Sequence, residues 1–95
     1  MKKQYVIVRS NMAGVFFGIL ESKNGNEVEL SKARKLYRWE GANTVEDLAV
    51  KGVSKPENCK FTIVVSQMII SDVCQILPCS PTSVESLSKV KEWSF

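Results

Sequence analysis

The pattern of apolar and polar residues predicts that the chain begins with three strands. Residues 4–9 (QYVIVR) and 15–22 (VFFGILES) are rich in aromatic and β-branched residues, which favour strands. Small and polar residues at 10–14 and 23–26 predict turns at their ends. Acidic and apolar residues alternate from residue 27, and a weaker two-residue period extends over 27–39. We expect a long or bent strand there, with a helical turn as the alternative.

Two short helices are predicted in the second half from their capping residues. Thr44, followed three residues later by Asp47, resembles a capping box, and Gly52 ends the apolar periodicity that follows. Ser80 suits a helix N-cap and Pro81 suits the first helical turn.

Further strands are predicted between these helices. Residues 61–65 and 68–70 are dense in β-branched residues, and 73–77 continue apolar until Pro78. We interpret them as two strands with a break near residues 71–72. Together these elements predict a single α+β domain over residues 1–95, with a mainly antiparallel sheet of about five strands and two short helices.

The last residues are unusually apolar for a chain end. Trp93 and Phe95 are large hydrophobic residues where polar ones are expected. We expect them to dock on this core or on a neighbouring subunit, and we predict a homo-oligomer, either a dimer or a tetramer.

Composition excludes several functions. The chain has no His, which removes every mechanism built on a His base, nucleophile partner or metal ligand. Cys59, Cys74 and Cys79 are too few and wrongly spaced for a zinc site, and their odd number favours reduced thiols. The carboxylates suggest no acid–base pair. We therefore expect no catalytic residues, no metal, no cofactor and no enzymatic activity.

Net charge and hydropathy exclude fewer binding partners than the composition excludes functions. A net charge of +3 is weakly basic and does not by itself decide for or against nucleic acid. No apolar run approaches the roughly 18 residues of a membrane helix, so we expect a soluble protein that does not enter membranes.

The densest candidate for ligand binding is residues 32–39. This segment holds four of the 13 cationic residues and two of the eight aromatic ones, with Tyr37 and Trp39 among Arg34, Lys35 and Arg38. Guanidinium groups grip phosphates and aromatic rings stack on bases, so the segment suits a nucleotide. The alternative is an edge strand whose cations prevent aggregation and whose aromatic residues fill the core.

A second candidate is the turn at residues 9–14. Its small residues would allow a ligand close to backbone N–H groups, with Arg9 at the edge, although a plain hairpin turn explains the composition as well. Because strand residues alternate, Tyr37 and Trp39 should share a face with Lys35, while Arg34 and Arg38 face the other way.

Four segments distributed along the chain form a recognisable set of motifs. They are residues 9–22 (R-S-x-x-A-G-V-x-x-G-x-L-E-S), 33–42 (A-R-K-L-Y-R-W-x-G-A), 56–61 (P-x-x-C-K-F) and 76–79 (I-L-P-C). Together these segments resemble a family of small phage and prophage proteins. Where that family usually reads A-R-R-[IL]-W-Y-W, this chain has Lys35, Tyr37 and Arg38 at the differing positions.

That family is in turn similar to oligomeric phage proteins, the anti-CBASS and anti-Thoeris sponges, that sequester cyclic nucleotide signals of bacterial immunity. The resemblance implies that the chain captures a cyclic dinucleotide or a cyclic ADP-ribose isomer without cleaving it, in the cytoplasm of a bacterial host. The alternatives are a small phage regulator that binds single-stranded nucleic acid or a host protein, and an enzyme that degrades the signal. The expected ligand-binding residues are Arg9, Ser10, Ala13, Gly14, Arg34, Lys35, Tyr37, Arg38, Trp39 and Gly41.

Overall fold

A mainly antiparallel sheet of six strands forms most of the computed structural model, which describes residues 3–93. The strands are β1 (Tyr5–Ser10), β2 (Gly14–Asn24), β3 (Glu27–Arg38), β4 (Lys60–Phe61), β5 (Val65–Ile70) and β6 (Val73–Pro78). The helices are α1 (Val45–Lys51) and α2 (Pro81–Ser88), and a 3₁₀ turn covers Pro56–Asn58. The predicted α+β class is confirmed.

The predicted count of about five strands is corrected to six, because residues 60–70 form two strands, β4 and β5, where the sequence predicted one. At the break between β4 and β5, the Thr62 hydroxyl accepts the Lys35 N–H at 2.8 Å, in place of a backbone carbonyl. The ladder beside β3 is interrupted there and resumes at Val65.

The central strand is β3, which pairs with β2 on one side and with β4 and β5 on the other. It is bent, as predicted, by a bulge at Lys32, whose φ is +47°. Gly18 on β2 permits the bulge, since a Cβ there would lie 3.0 Å from the Ala33 Cα and the Ser31 carbonyl. The bulge shifts the alternation of β3 by one residue. Leu30 and Ala33 therefore face the same core, although an odd spacing of three positions would place them on opposite faces of a regular strand.

Two apolar cores lie on the two faces of the sheet. One is covered by the helices and includes Ile7, Phe17, Leu36, Phe61, Leu48 and Leu87. The other includes Val6, Val8, Phe16, Val28, Leu30, Ala33 and Ile70. Because β5 and β6 lie at opposite edges of the sheet although only residues 71–72 connect them, the sheet curls around this second core.

Both helices begin at the predicted caps. The Thr44 hydroxyl accepts the Asp47 N–H at 3.1 Å, and the Ser80 hydroxyl accepts the Ser83 N–H at 3.0 Å. Gly52 ends α1 with a φ of +76°. The Ser83 hydroxyl also donates to the Leu48 carbonyl at 2.6 Å, which fixes α2 against α1.

The end of the chain returns to the sheet. Glu92 forms an isolated parallel bridge with Phe61, and the Trp93 N–H donates to the Phe61 carbonyl at 2.7 Å. Of the two alternatives for the apolar tail, Trp93 follows the first and docks on its own chain, whereas Phe95 lies outside the described residues. Among residues 3–93, no helix has the length and hydrophobicity needed to cross a membrane.

Candidate functional site

The candidate site is built around two stacked aromatic rings from opposite ends of the sequence. Tyr37 is at the end of β3, and Trp93 is held beside β4 by its backbone hydrogen bond. Their ring centroids are 5.1 Å apart and their planes differ by 15°. Tyr37 is 59% exposed and Trp93 39% exposed, so the pair presents aromatic surface to solvent.

Cationic side chains border this pair. The Lys60 Nζ lies 5.2 Å from the centroid of the Trp93 ring, within cation–π distance. Arg38, the residue after Tyr37, is exposed and lines a cleft together with Lys60 and Trp93. The surface therefore combines a stacking platform with groups that can bind phosphate.

Two open clefts meet at Trp93. The strand cleft has a volume of about 480 Å³ and contains Arg38 and Lys60. The tail cleft has a volume of about 560 Å³ and contains Lys89 and Lys91. Glu57 and Cys59 line both clefts, and each cleft holds a further carboxylate, Glu40 in the strand cleft and Glu92 in the tail cleft. Each cleft is therefore lined by two cations and two carboxylates, and its formal charge is balanced.

The wall of the strand cleft is fixed by a small polar network. The Asn58 side chain donates to the Glu40 carboxylate at 2.6 Å, and the Glu40 N–H donates to the Cys59 sulfur at 3.5 Å. Burial raises the pKa of the Cys59 thiol; the Glu40 backbone opposes this, and the carboxylates of Glu40 and Glu57 reinforce it. Cys59 thus behaves as a neutral, half-buried wall residue.

Arg34, one of the expected phosphate ligands, is corrected to a structural residue. It is 3% exposed, and its guanidinium donates to the carbonyls of Thr62 at 3.0 Å and Val90 at 2.9 Å. A longer bond of 3.4 Å reaches the Leu87 carbonyl, near the end of α2. Burial lowers the pKa of Arg34, and the negative charge of Glu92 opposes that shift. Its donors are thus directed into the fold, where they satisfy carbonyls at the end of a helix.

Ser10 is also occupied within the fold, which corrects its expected role as a hydroxyl donor to a ligand. Its hydroxyl donates to the Ser71 carbonyl at 2.8 Å and accepts the Ala13 N–H at 3.3 Å, and the residue is 4% exposed. Arg9 is exposed on β1, two strands away from β3. The pKa of Glu46 is lowered mainly by the hydrogen bond from the Gln75 side chain, and the charge of Arg9 adds a small contribution. Neither Ser10 nor Arg9 joins the aromatic pair.

The turn nevertheless lies at the same end of the sheet as the basic segment. Gly14 has a φ of +109°, and a Cβ at that position would be 3.2 Å from the Lys35 Cε. The Lys35 Nζ is 6.0 Å from the centroid of the Phe16 ring. As the alternation predicts, Lys35 faces the sheet surface opposite to Arg34, and the half-buried Ala13 packs against the core on that side.

Trp39 and Gly41 support the site from behind. Trp39 is half-buried and packs against the core beneath the helices, so it offers little free ring surface. This corrects the expectation that alternation places Trp39 on the same face of β3 as Lys35, whose ammonium group lies over Phe16 of the other core. Gly41 has a φ of +90°, and a side chain there would overlap Ser54 and the Lys55 N–H. This close approach holds the loop after β3 against the segment before the 3₁₀ turn.

Of the expected ligand residues, Tyr37 and Arg38 are accessible at the aromatic pair. Lys35, which precedes them on β3, lies next to Gly14 of the turn. The candidate set lacked Trp93 and Lys60, which reach the site only through pairing beside β4. The apolar tail was a signal for Trp93, but its partner ring could not be identified from the sequence. Within residues 3–93, no group of three potential metal ligands is assembled.

Residues 3–87 match a protein family described as Domain of unknown function (DUF6948). The match covers all six strands and nearly all of α2. No curated protein and no solved structure matches the chain.

Proposed function

We propose that this chain, which belongs to the DUF6948 family, binds a small cyclic nucleotide without cleaving it and so withholds the signal from bacterial anti-phage defence. It would act as a homo-oligomer in the cytoplasm of the infected host. The observation that carries the proposal is the exposed stack of Tyr37 on Trp93, bordered by Arg38 and Lys60.

The stack suits a nucleobase because its geometry is set before a ligand arrives. Trp93 covers one face of Tyr37, and the 59% exposure of Tyr37 leaves aromatic surface on which a base can stack. Such a stack contributes about 1 to 3 kcal/mol per base. Arg38 and Lys60 then supply cations for one or two phosphates.

Mixed charge favours a compact ligand over a long polyanion. The carboxylates of Glu40 and Glu57 lie in the same cleft as Arg38 and Lys60 and would repel a continuous phosphate backbone. A cyclic dinucleotide carries only two phosphates at fixed positions, so it brings fewer negative charges near these carboxylates than a polynucleotide does. Both clefts are open, so tight capture requires that a second copy cover the ligand.

The experiment is ligand depletion followed by recovery. Purified protein is incubated with cyclic di- and trinucleotides and cyclic ADP-ribose isomers, filtered, and then denatured by heat. We expect one compound to disappear from the filtrate and to return intact on heating. Depletion of no compound would overturn the proposal, and recovery of an altered compound would establish an enzyme instead.

Point variants test whether the aromatic pair is the site. Tyr37→Ala should weaken binding by about 1 to 3 kcal/mol through the lost stack, and Arg38→Gln should also weaken it. Arg9→Gln is the matched control, since it removes an exposed arginine away from the pair and should leave affinity unchanged. Equal losses for Arg38→Gln and Arg9→Gln would show that general charge, not this surface, determines binding.

Salt separates the proposal from the alternative of single-stranded nucleic acid. A ligand with two or three phosphates releases few counterions, so its affinity should fall gently as salt rises. A steep loss, together with binding to oligonucleotides, would favour the phage-regulator alternative.

A further inference from the structure

The edge of the sheet formed by β5 and the two residues before it, Ile63 and Val64, carries an unusual amount of exposed apolar surface. Ile63, Val64, Val65 and Ile69 are 60%, 49%, 36% and 60% exposed. They account for half of the large hydrophobic residues that are exposed among residues 3–93. Grouping on one edge distinguishes them from scattered surface residues.

This edge also lacks the usual protection against strand pairing. β5 is paired with β3 on one side, and within the described chain no strand pairs with its other side. Residues 61–71 (FTIVVSQMIIS) contain no charged residue and no proline. Proteins that remain monomeric normally block such an edge with a lysine, a proline or a covering segment.

We propose that β5 is the interface with a second copy of this chain, paired antiparallel about a two-fold axis at Ser66. In that register Ile63 of each copy faces Ile69 of the other, which brings together side chains of equal exposure. Lys60 of each copy lies beside Asp72 of the other, so the flanking charges are opposite. A parallel pairing would instead place like charges together.

The interface also brings the partner close to the proposed ligand surface. Lys60 is both the residue before the apolar edge and the cation over Trp93. The inference rests on the homo-oligomer of the proposed function, but its test involves no nucleotide, so a failure of the interface and a failure of ligand binding are distinguishable.

The first experiment measures oligomeric state by sedimentation over a concentration series. We expect a dimer for the wild-type chain, a predominantly monomeric Ile69→Lys variant, and a dimer for the control Val50→Lys. Val50 is also 60% exposed but lies on α1, away from the edge. Ile69→Lys should weaken dimerisation at least about tenfold, because its charge would be buried against the partner's apolar edge.

Circular dichroism verifies that Ile69→Lys folds, and Ile63→Lys provides a second variant if it does not. A monomeric wild-type chain would overturn the proposal, as would folded lysine variants that remain dimeric. Either result would mean that this edge is not a contact between copies and is accessible to a different extended partner.

Cross-linking tests the register. Facing residues in an antiparallel pair have Cβ atoms about 4.5 to 5.5 Å apart, close to disulfide distance. In a Cys74→Ser background, Ser66→Cys should form a disulfide dimer under mild oxidation, whereas the control Ser88→Cys should not. No cross-link at Ser66, or equal cross-linking at Ser88, would overturn the two-fold register.

Discussion

Arg34 and Arg38 are four residues apart on one strand, yet they have different roles. Arg34 is 3% exposed and donates to carbonyls at the end of α2, whereas Arg38 is exposed beside Trp93. The cause is the position of each along β3, because the Arg34 side chain meets the end of α2 and the residues after it, whereas the Arg38 side chain lies in the strand cleft with Lys60 and Trp93. A run of basic residues can therefore contain both buried structural residues and exposed residues that are accessible to a ligand.

The largest expected effect is on stability at Arg34. Arg34→Met should lower the free energy of unfolding by about 3 kcal/mol, since buried carbonyls lose their donors. Arg38→Met, at an exposed position, should change it by less than about 0.5 kcal/mol. Urea denaturation of both variants at one protein concentration measures the difference, and equal stabilities would contradict the structural role of Arg34.

The two aromatic residues of the same segment, Trp39 and Tyr37, should also differ in their contribution to the free energy of unfolding, by less than the two arginines do. Trp39 packs on the core beneath the helices, so Trp39→Ala should cost about 2 kcal/mol, roughly half the value for a fully buried Trp. Tyr37→Ala loses mainly the stack on Trp93 and should cost about 1 kcal/mol or less. Thermal unfolding distinguishes them. A larger loss at Tyr37 would mean that the stack serves the fold more than a ligand.

Local signals in the sequence were sufficient for part of this structure. Thr44 and Ser80 mark helix starts, and Gly52 marks a helix end, because capping depends on residues within one turn. The length of β3 also follows from the two-residue period over residues 27–39. Arg34 facing away from Lys35 follows from alternation alone.

Other features depend on contacts between distant residues. The Thr62 hydroxyl replaces a ladder carbonyl only because it lies beside Lys35, and nothing within residues 61–70 predicts the resulting break. The bulge at Lys32 needs the absent side chain of Gly18 on the next strand. Trp93 reaches Tyr37 through a hydrogen bond to Phe61. Apolar periodicity carries no information on such pairings.

Two cysteines allow a chemical comparison of the helix-covered core with the clefts at the aromatic pair. The expected effect is the smallest of those considered. Cys79 is buried in the helix-covered core, whereas Cys59 lines both clefts beside Trp93. Burial raises the pKa of Cys79 from 9.0 to about 11, and a hydrogen bond with Ser83 opposes the shift. The neutral thiol therefore stabilises the fold below about pH 9, and this contribution is lost as the pH rises toward 11.

Alkylation with iodoacetamide at about pH 8, where thiolate is the reacting species, should accordingly proceed in a fixed order. Cys74, exposed on β6, should react first, then the half-buried Cys59, and Cys79 last. A nucleotide bound at the aromatic pair should slow Cys59 and leave Cys74 and Cys79 unchanged, because only Cys59 is in the clefts. Mass spectrometry of the labelled peptides gives the three rates. Protection of Cys79 without protection of Cys59 would place the ligand in the cleft lined by Tyr5, Cys79 and Val84 instead of at the aromatic pair.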